Sequence, residues 1–203
     1  MLQHRSIQDR SGYNSTMPVP SVPRRRRRAF FAPLWLGAIL AMIAAFIAIV
    51  LIQAADTTTV IVVRHAEKQL GTIDDAPLST EGELRAERLA QMLGQETDGE
   101  QITAVVASEA RRSQQTAAPL ARRLGIGVTT VPAGELAALM AVLNRQRDGT
   151  LSVVVAHSNT IPQIVAALAG KESRVTVNES DYGSMFVVTS SRYGPASVLR
   201  LRY

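Results

Sequence analysis

Apolar and polar positions fall into blocks along this 203-residue chain, and the period of the pattern changes once. Residues 29–52 carry no charged side chain; as a helix they would extend about 36 Å. From residue 57 onward, short β-branched runs alternate with segments of helical period. Strands are expected at Thr58–Val63, Thr103–Ala107, Gly127–Val131 and Leu151–Ala156. Such near-continuous apolar runs mark parallel strands buried on both faces. Helices are expected at Thr80–Leu93, Ser108–Leu124, Gly134–Arg147 and Thr160–Leu168. Thr80-Glu81-Gly82-Glu83 has the spacing of a capping box, Ser108 suits an N-cap, and Gly125 suits a C-terminal stop. Pro119 is expected to kink the second of these helices, and Pro162 to sit in the first turn of the last. Met185–Thr189 and Ala196–Leu201 flank a turn-rich segment and read as a closing hairpin. The alternation predicts the α/β class: a three-layer sandwich whose central sheet is mostly parallel, with helices on both faces.

The first block predicts a membrane anchor. Residues 1–28 are expected to be a disordered basic tail, 29–55 a transmembrane anchor, and 56–203 the folded domain. Five consecutive arginines, Arg24 to Arg28, stand directly before the apolar run. Next to such a run they read as a positive-inside signal, not as a nucleic-acid patch. The tail is then cytoplasmic and the domain periplasmic or extracellular, on a single-pass chain that meets the membrane through 29–52. A cleaved signal peptide has a shorter apolar core, about 7–15 residues.

Charge agrees with this division. The net charge of +5 is uneven: residues 1–55 hold seven arginines against Asp9 alone, while the rest carries 15 basic and 16 acidic residues. The folded part is therefore close to neutral, and no nucleic-acid partner is expected. There is no cysteine, which excludes a disulfide framework and thiol chemistry.

Candidate chemistry sits where the strands end. Val60-Ile61-Val62-Val63 stops at Arg64-His65, and Val153-Val154-Val155-Ala156 stops at His157. Ser108 and Arg112 follow the second strand in the same way. In open α/β sheets, ligands bind just beyond the carboxyl ends of strands. Two guanidiniums and two imidazoles gathered there suit an anion, and phosphate best, because arginine's planar fork matches its oxygens. The helices starting near Ser108 and Thr160 would add backbone N–H groups. A metal site of His65, Glu67 and His157 is the competing reading, disfavoured because two arginines beside it would repel a dication. No metal or other cofactor is expected.

Four segments then resemble, in order, the motifs of the histidine phosphatase superfamily, whose fold is phosphoglycerate mutase-like. Arg64-His65-Ala66-Glu67 resembles its Arg-His-Gly-Glu signature, and Leu78-Ser79-Thr80-Glu81-Gly82 its Leu-Ser/Thr-x-x-Gly helix start. Ser108 through Ala117 is similar to its Ser-x-x-x-Arg-x-x-Gln-Thr-Ala segment, and Val155-Ala156-His157-Ser158 to its second histidine motif. The resemblance covers about residues 58–190. It implies a phosphatase in which His65 is the nucleophile, forming a phosphohistidine, and Arg64, Arg112 and His157 hold the phosphoryl oxygens. Glu135 lies where many members place the proton donor; Glu179 and Asp181 are further acids on a later loop. The substrate would be a phosphorylated small molecule or phosphoprotein. A mutase that returns the phosphoryl group, or an inactive phosphate-binding membrane module, is the alternative. Departures are Ala66 for Gly, Lys68 where Thr or Ser is common, and Ser158-Asn159-Thr160 in place of a glycine-rich stretch.

The topology is checked with a reporter fused after Tyr203 that works only outside the cytoplasm. It is expected to be active; a cytoplasm-only reporter that works instead would overturn the positive-inside argument.

Overall fold

The apolar runs pair side by side. The computed structural model describes residues 34–55, 57–71, 74–95, 101–146, 150–170, 174–191 and 194–203, and for 34 and 52–55 the backbone only. The elements are α1 (Leu34–Ala55), β1 (Thr57–Arg64), α2 (Thr80–Leu93), β2 (Ile102–Ala107), α3 (Arg111–Leu124), β3 (Val128–Thr130), α4 (Leu136–Leu143), β4 (Leu151–Ala156), α5 (Ile161–Ala169), β5 (Ser184–Ser191) and β6 (Gly194–Arg202). One six-stranded sheet has the order β3-β2-β4-β1-β5-β6. The strands β1 to β4 pair in parallel, while β5 and β6 join as an antiparallel hairpin, so the sheet is mixed.

Alternation along each strand sorts the core into two layers. Val60, Val62, Val106, Val154 and Phe186 pack with Leu139 and Leu143 of α4 and Ile161, Ile164 and Val165 of α5. Ile61, Val63, Val105, Val153 and Val155, on the opposite face, pack with Leu89 of α2 and Ala117 and Leu120 of α3. Both faces of the central strands are therefore covered, which is why their sequences show no polar alternation.

Several element ends differ from the sequence expectation. The third helix starts at Arg111, not Ser108, because its first amide is satisfied from a distance: Arg111 N donates to the Asp75 carboxylate at 2.8 Å. It continues through Pro119 without a break, and ends as expected at Gly125, in the left-handed conformation at φ 68°. The fourth helix is the shorter Leu136–Leu143. Ser79, one residue earlier than the capping-box reading, is the N-cap of α2 and accepts from Gly82 N.

The long helix α1 crosses the boundary between two compact units, Met1–Ala41 and Met42–Tyr203. Its side chains from Trp35 to Leu51 are all exposed. Among the described residues no helix is long and apolar enough to cross a membrane. The side chains described on α1 cover 17 residues, about 26 Å of rise against a hydrocarbon core of about 30 Å. The expected tail, 1–28, and the start of the expected span lie outside the described residues.

Gly82 shows what holds α2 against the loop after β1. A Cβ there would lie 2.2 Å from the Glu67 carbonyl oxygen. Gly82→Ala should therefore destabilise by about 1–3 kcal/mol, read as a lower urea midpoint, although alanine is intrinsically the better helix former. An unchanged or raised midpoint would refute the close-approach argument.

Candidate active site

The parallel register brings the sequence-predicted residues together. Arg64 is paired with Ala156 at the ends of β1 and β4, and Ala107 with Val155 at the ends of β2 and β4. His65, Ser108 and His157 are the next residues on three adjacent strands. They emerge at one level, and the two imidazole centroids lie 5.2 Å apart. Arg64, His65 and His157 are all buried, at 6%, 4% and 9% exposure.

Two contacts fix the tautomer of His65. Nδ1 lies 2.8 Å from the Ala66 carbonyl oxygen, and a carbonyl only accepts, so Nδ1 carries the proton. Arg112 Nε–H points at Nε2 from 3.2 Å, and a guanidinium only donates, so Nε2 presents its lone pair. Burial drives the His65 pKa down from about 6.5 to about 4; the bond to Ala66 opposes this, and His157, Arg64 and Arg112 add to it. The ring is thus neutral near pH 7. Burial also lowers the pKa of His157, with help from Arg112 and Arg64 and opposed by Glu109.

The loop carrying His65 is held from three sides. Ala66 N donates to Thr116 Oγ1 at 3.0 Å, and that hydroxyl donates to the Arg112 carbonyl at 2.7 Å. Leu78 N donates to Gln115 Oε1 at 2.8 Å. The adjacent Gln115 and Thr116 of α3 therefore tie both flanks of the loop to the helix that bears Arg112. Glu67 takes Arg85 on both carboxylate oxygens, with contacts of 2.6–2.9 Å. Burial alone would raise the Glu67 pKa, but Arg85 outweighs it and the carboxylate is held below its usual range.

These partners decide two of the sequence alternatives. The grouping His65, Glu67 and His157 is not assembled as a ligand set, since Glu67 is engaged by Arg85. Among the described residues no group of three or more His, Cys, Asp or Glu side chains could hold a metal. The helix amides expected to face the site also have partners: Arg111 N has Asp75, and Thr160 N and Ile161 N both donate to the His157 carbonyl. Instead of capping a helix, Ser108 places Oγ 2.9 Å from His157 Nε2.

Arg64 is gripped more than expected. Its Nη1 donates to the carbonyls of Asn178, at 3.2 Å, and Glu179. The guanidinium lies over the Tyr182 ring, 4.1 Å from the centroid, a cation–π contact. Its Nε is buried without a partner. Tyr182, whose ring centroid is 6.2 Å from that of His65, was missed in the sequence, where nothing distinguishes it. Glu135 is exposed at the N-cap of α4 and lines a cavity that also includes Ser108 and His157. Asp181 is committed elsewhere. Burial would raise its pKa, yet Ser184, Arg202 and Arg200 hold its carboxylate low. Glu179 contributes its backbone carbonyl.

The comparisons with known proteins bear on this arrangement. Residues 60–133 match the model of the histidine phosphatase superfamily, branch 1. That stretch contains His65, Arg112 and the first three motifs and stops before His157. No curated protein matches the chain. Among solved structures, the chain is similar to the protein histidine phosphatase SixA complexed with tungstate: 23% identity, TM-score 0.56, over 71% of this chain and 96% of that one. It is also similar to a mycobacterial glucosyl-3-phosphoglycerate phosphatase, at 17% identity and TM-score 0.52 over 72% and 98% of the two chains. A Plasmodium falciparum phosphoglycerate mutase gives 14% and 0.52 over 71% and 90%. At these identities the likeness is one of fold. The family model matches residues 60–133, and the solved structures share the fold.

Two outcomes follow from the geometry. Thr116→Val keeps the shape but leaves Ala66 N–H buried and unpaired, a loss of about 1–3 kcal/mol in chemical denaturation. The depressed His65 pKa also sets a pH dependence. Between pH 6.5 and about 4 the unfolded chain binds a proton at this residue and the folded one does not, so stability falls as pH drops through that window. Urea midpoints across it should fall less steeply in His65→Asn; an identical slope would mean that His65 is protonated in the folded state.

Proposed function

We propose that the chain is a phosphatase that hydrolyses phosphomonoesters or phosphorylated protein side chains through a phosphohistidine on His65. The observation that carries this reading is the imidazole itself: buried, neutral, its proton held at Nδ1 and its Nε2 lone pair facing a guanidinium. A neutral imidazole that cannot turn is a pre-formed nucleophile, and adjacent cations stabilise the charge that develops on phosphoryl oxygens.

In the first step Arg112 Nε–H turns from Nε2 to a phosphoryl oxygen, and the freed Nε2 lone pair forms a bond to phosphorus as the bond from phosphorus to the leaving-group oxygen breaks. Glu135, protonated, gives that oxygen its proton. In the second, water attacks phosphorus, its proton passes to Glu135, and the P–N bond breaks to return neutral His65 and inorganic phosphate. Nδ1–H stays on Ala66 O throughout, which steadies the positive charge of the phosphorylated ring. Arg64, Arg112 and His157 hold the phosphoryl oxygens. The unpartnered Nε of Arg64 supports this, since a phosphoryl oxygen would supply the acceptor it lacks.

Anchoring in a membrane through residues 29–52 belongs to the same proposal. It is supported by the uncharged sequence of α1 and by the apolar side chains it exposes, among them Leu40, Met42, Phe46 and Leu51. Within the Met42–Tyr203 unit, α1 leads to the N-terminal end of β1 while His65 follows the C-terminal end. The eight-residue strand between them rises about 26 Å, so the site is set back from the end of the helix.

The test uses the full chain in detergent micelles. With p-nitrophenyl phosphate, His65→Ala is expected to abolish turnover, and Arg112→Ala to reduce it by about 10²–10³. Brief reaction with labelled substrate should leave an acid-labile, base-stable label at His65. Turnover that survives His65→Ala would sink the proposal. Glu135→Gln should lower turnover of an alkyl phosphate by about 10²–10⁴. In kcat/KM, which reports the first step alone, p-nitrophenyl phosphate should change little, because that leaving group needs no proton; equal loss of kcat/KM on both substrates would remove Glu135 from the donor role.

A further inference from the structure

A cavity opens beside the two imidazoles, on the His157 side. It lies between the ends of β2 and β4 and the helices α4 and α5, and is open to solvent. Its walls are Val131, Leu136, Leu139, Val154 and Ile164, with Gln163 as a neutral polar group. His157 and Ser108 form the end nearest His65, and Glu135 is at the rim. Among the described residues neither arginine nor lysine lines it, and the ionisable groups that do are Glu135 and His157.

The cations Arg64 and Arg112 stand beside His65, where Arg112 Nε meets its Nε2 and the Arg64 guanidinium lies over the Tyr182 ring; their field reaches His157, but neither side chain lines the cavity. The cavity has an apolar wall with Glu135 at its edge. A second phosphate or a carboxylate placed there would lose its hydration and, among the described residues, gain no arginine or lysine lining the cavity, which is unfavourable. An uncharged apolar group would instead be removed from water against Val131, Leu136 and Leu139, which is favourable in proportion to the area covered.

We propose that this cavity receives the leaving group, and that it selects phosphomonoesters whose alcohol is uncharged and largely apolar over those carrying a second anionic group. The assignment rests on the phosphatase reading above and narrows its substrate class. It also agrees with the place given to Glu135, which lines the same cavity as His157. A mutase acting on phosphoglycerates needs a cation for the substrate carboxylate, and among the described residues none lines this cavity.

The experiment compares three phosphoryl donors on the full chain in detergent: phosphoramidate, which has nothing to place in the cavity, phenyl phosphate, and 3-phosphoglycerate. In wild type, kcat/KM for phenyl phosphate is expected to exceed that for 3-phosphoglycerate about tenfold or more. Ala133→Phe, at the exposed rim, should narrow the cavity and lower the phenyl phosphate to phosphoramidate ratio about tenfold. Leu136→Arg should shift the preference toward 3-phosphoglycerate. Equal use of phenyl phosphate and 3-phosphoglycerate, or an unchanged ratio in both variants, would overturn the assignment while leaving the phosphatase reading intact. Absence of His65-dependent phosphate release from phosphoramidate would instead remove the phosphatase reading, and the leaving-group site with it.

Discussion

The parallel pairing of β1 with β4 is the constraint on which the site depends. His65 N donates to the Ala156 carbonyl at 2.9 Å, so the ladder continues one residue past the end of the strand. The position of the imidazole is thereby set by the backbone register and not by a flexible loop. A shift of one residue would turn Val60 and Val62 toward the α2 and α3 face and separate the two histidines. Tight packing on both faces, with Val62 and Val63 fully buried, holds the register against such a slip.

That fixed placement makes an electrostatically awkward arrangement possible. Two guanidiniums and two imidazoles are gathered at three strand ends without a carboxylate among them. The chain accommodates this in two ways. Burial keeps the imidazoles neutral, which removes two of the four charges near pH 7. Backbone carbonyls and an aromatic face neutralise part of the Arg64 charge without introducing an anion that would compete with a phosphoryl group. Glu67, the nearest acid in sequence, is drawn away by Arg85. The resulting field is positive and pre-organised before any substrate arrives, which is what stabilises a phosphoryl transition state.

Much of this was legible in the sequence because it is local. Arg64, His65 and His157 terminate apolar runs, so reading the strands also found the site. Arg112 was singled out from Arg111 by the resemblance of Ser108 through Ala117 to the family's motif. What escaped were the contacts that depend on tertiary approach. Ser108 read as a helix cap because serine before a helical pattern usually is one, yet Asp75, 36 residues away, takes the first amide instead. The grip of 178–182 on Arg64 uses mostly backbone carbonyls, which carry no sequence signal. Tyr182 stands among loop residues with no period to mark it. Gly82 was read only as part of a motif; its reason is steric, the Glu67 carbonyl lying where a side chain would begin.

The same distinction between local and tertiary determinants separates phosphate recognition from leaving-group recognition. The proposed phosphate contacts would come from residues at strand ends and on α3, elements whose positions the core fixes on both sides. The cavity wall comes from the β3–α4 segment and from α4 itself, an eight-residue helix on the short edge strand β3. Its attachment includes a bond from Ala133 N to the Glu109 carboxylate at 2.6 Å. Residue changes there alter the shape and charge of the cavity without touching the register that places His65. Under the proposed function, a scaffold arranged in this way would keep its phosphoryl chemistry constant while the group being released is free to vary.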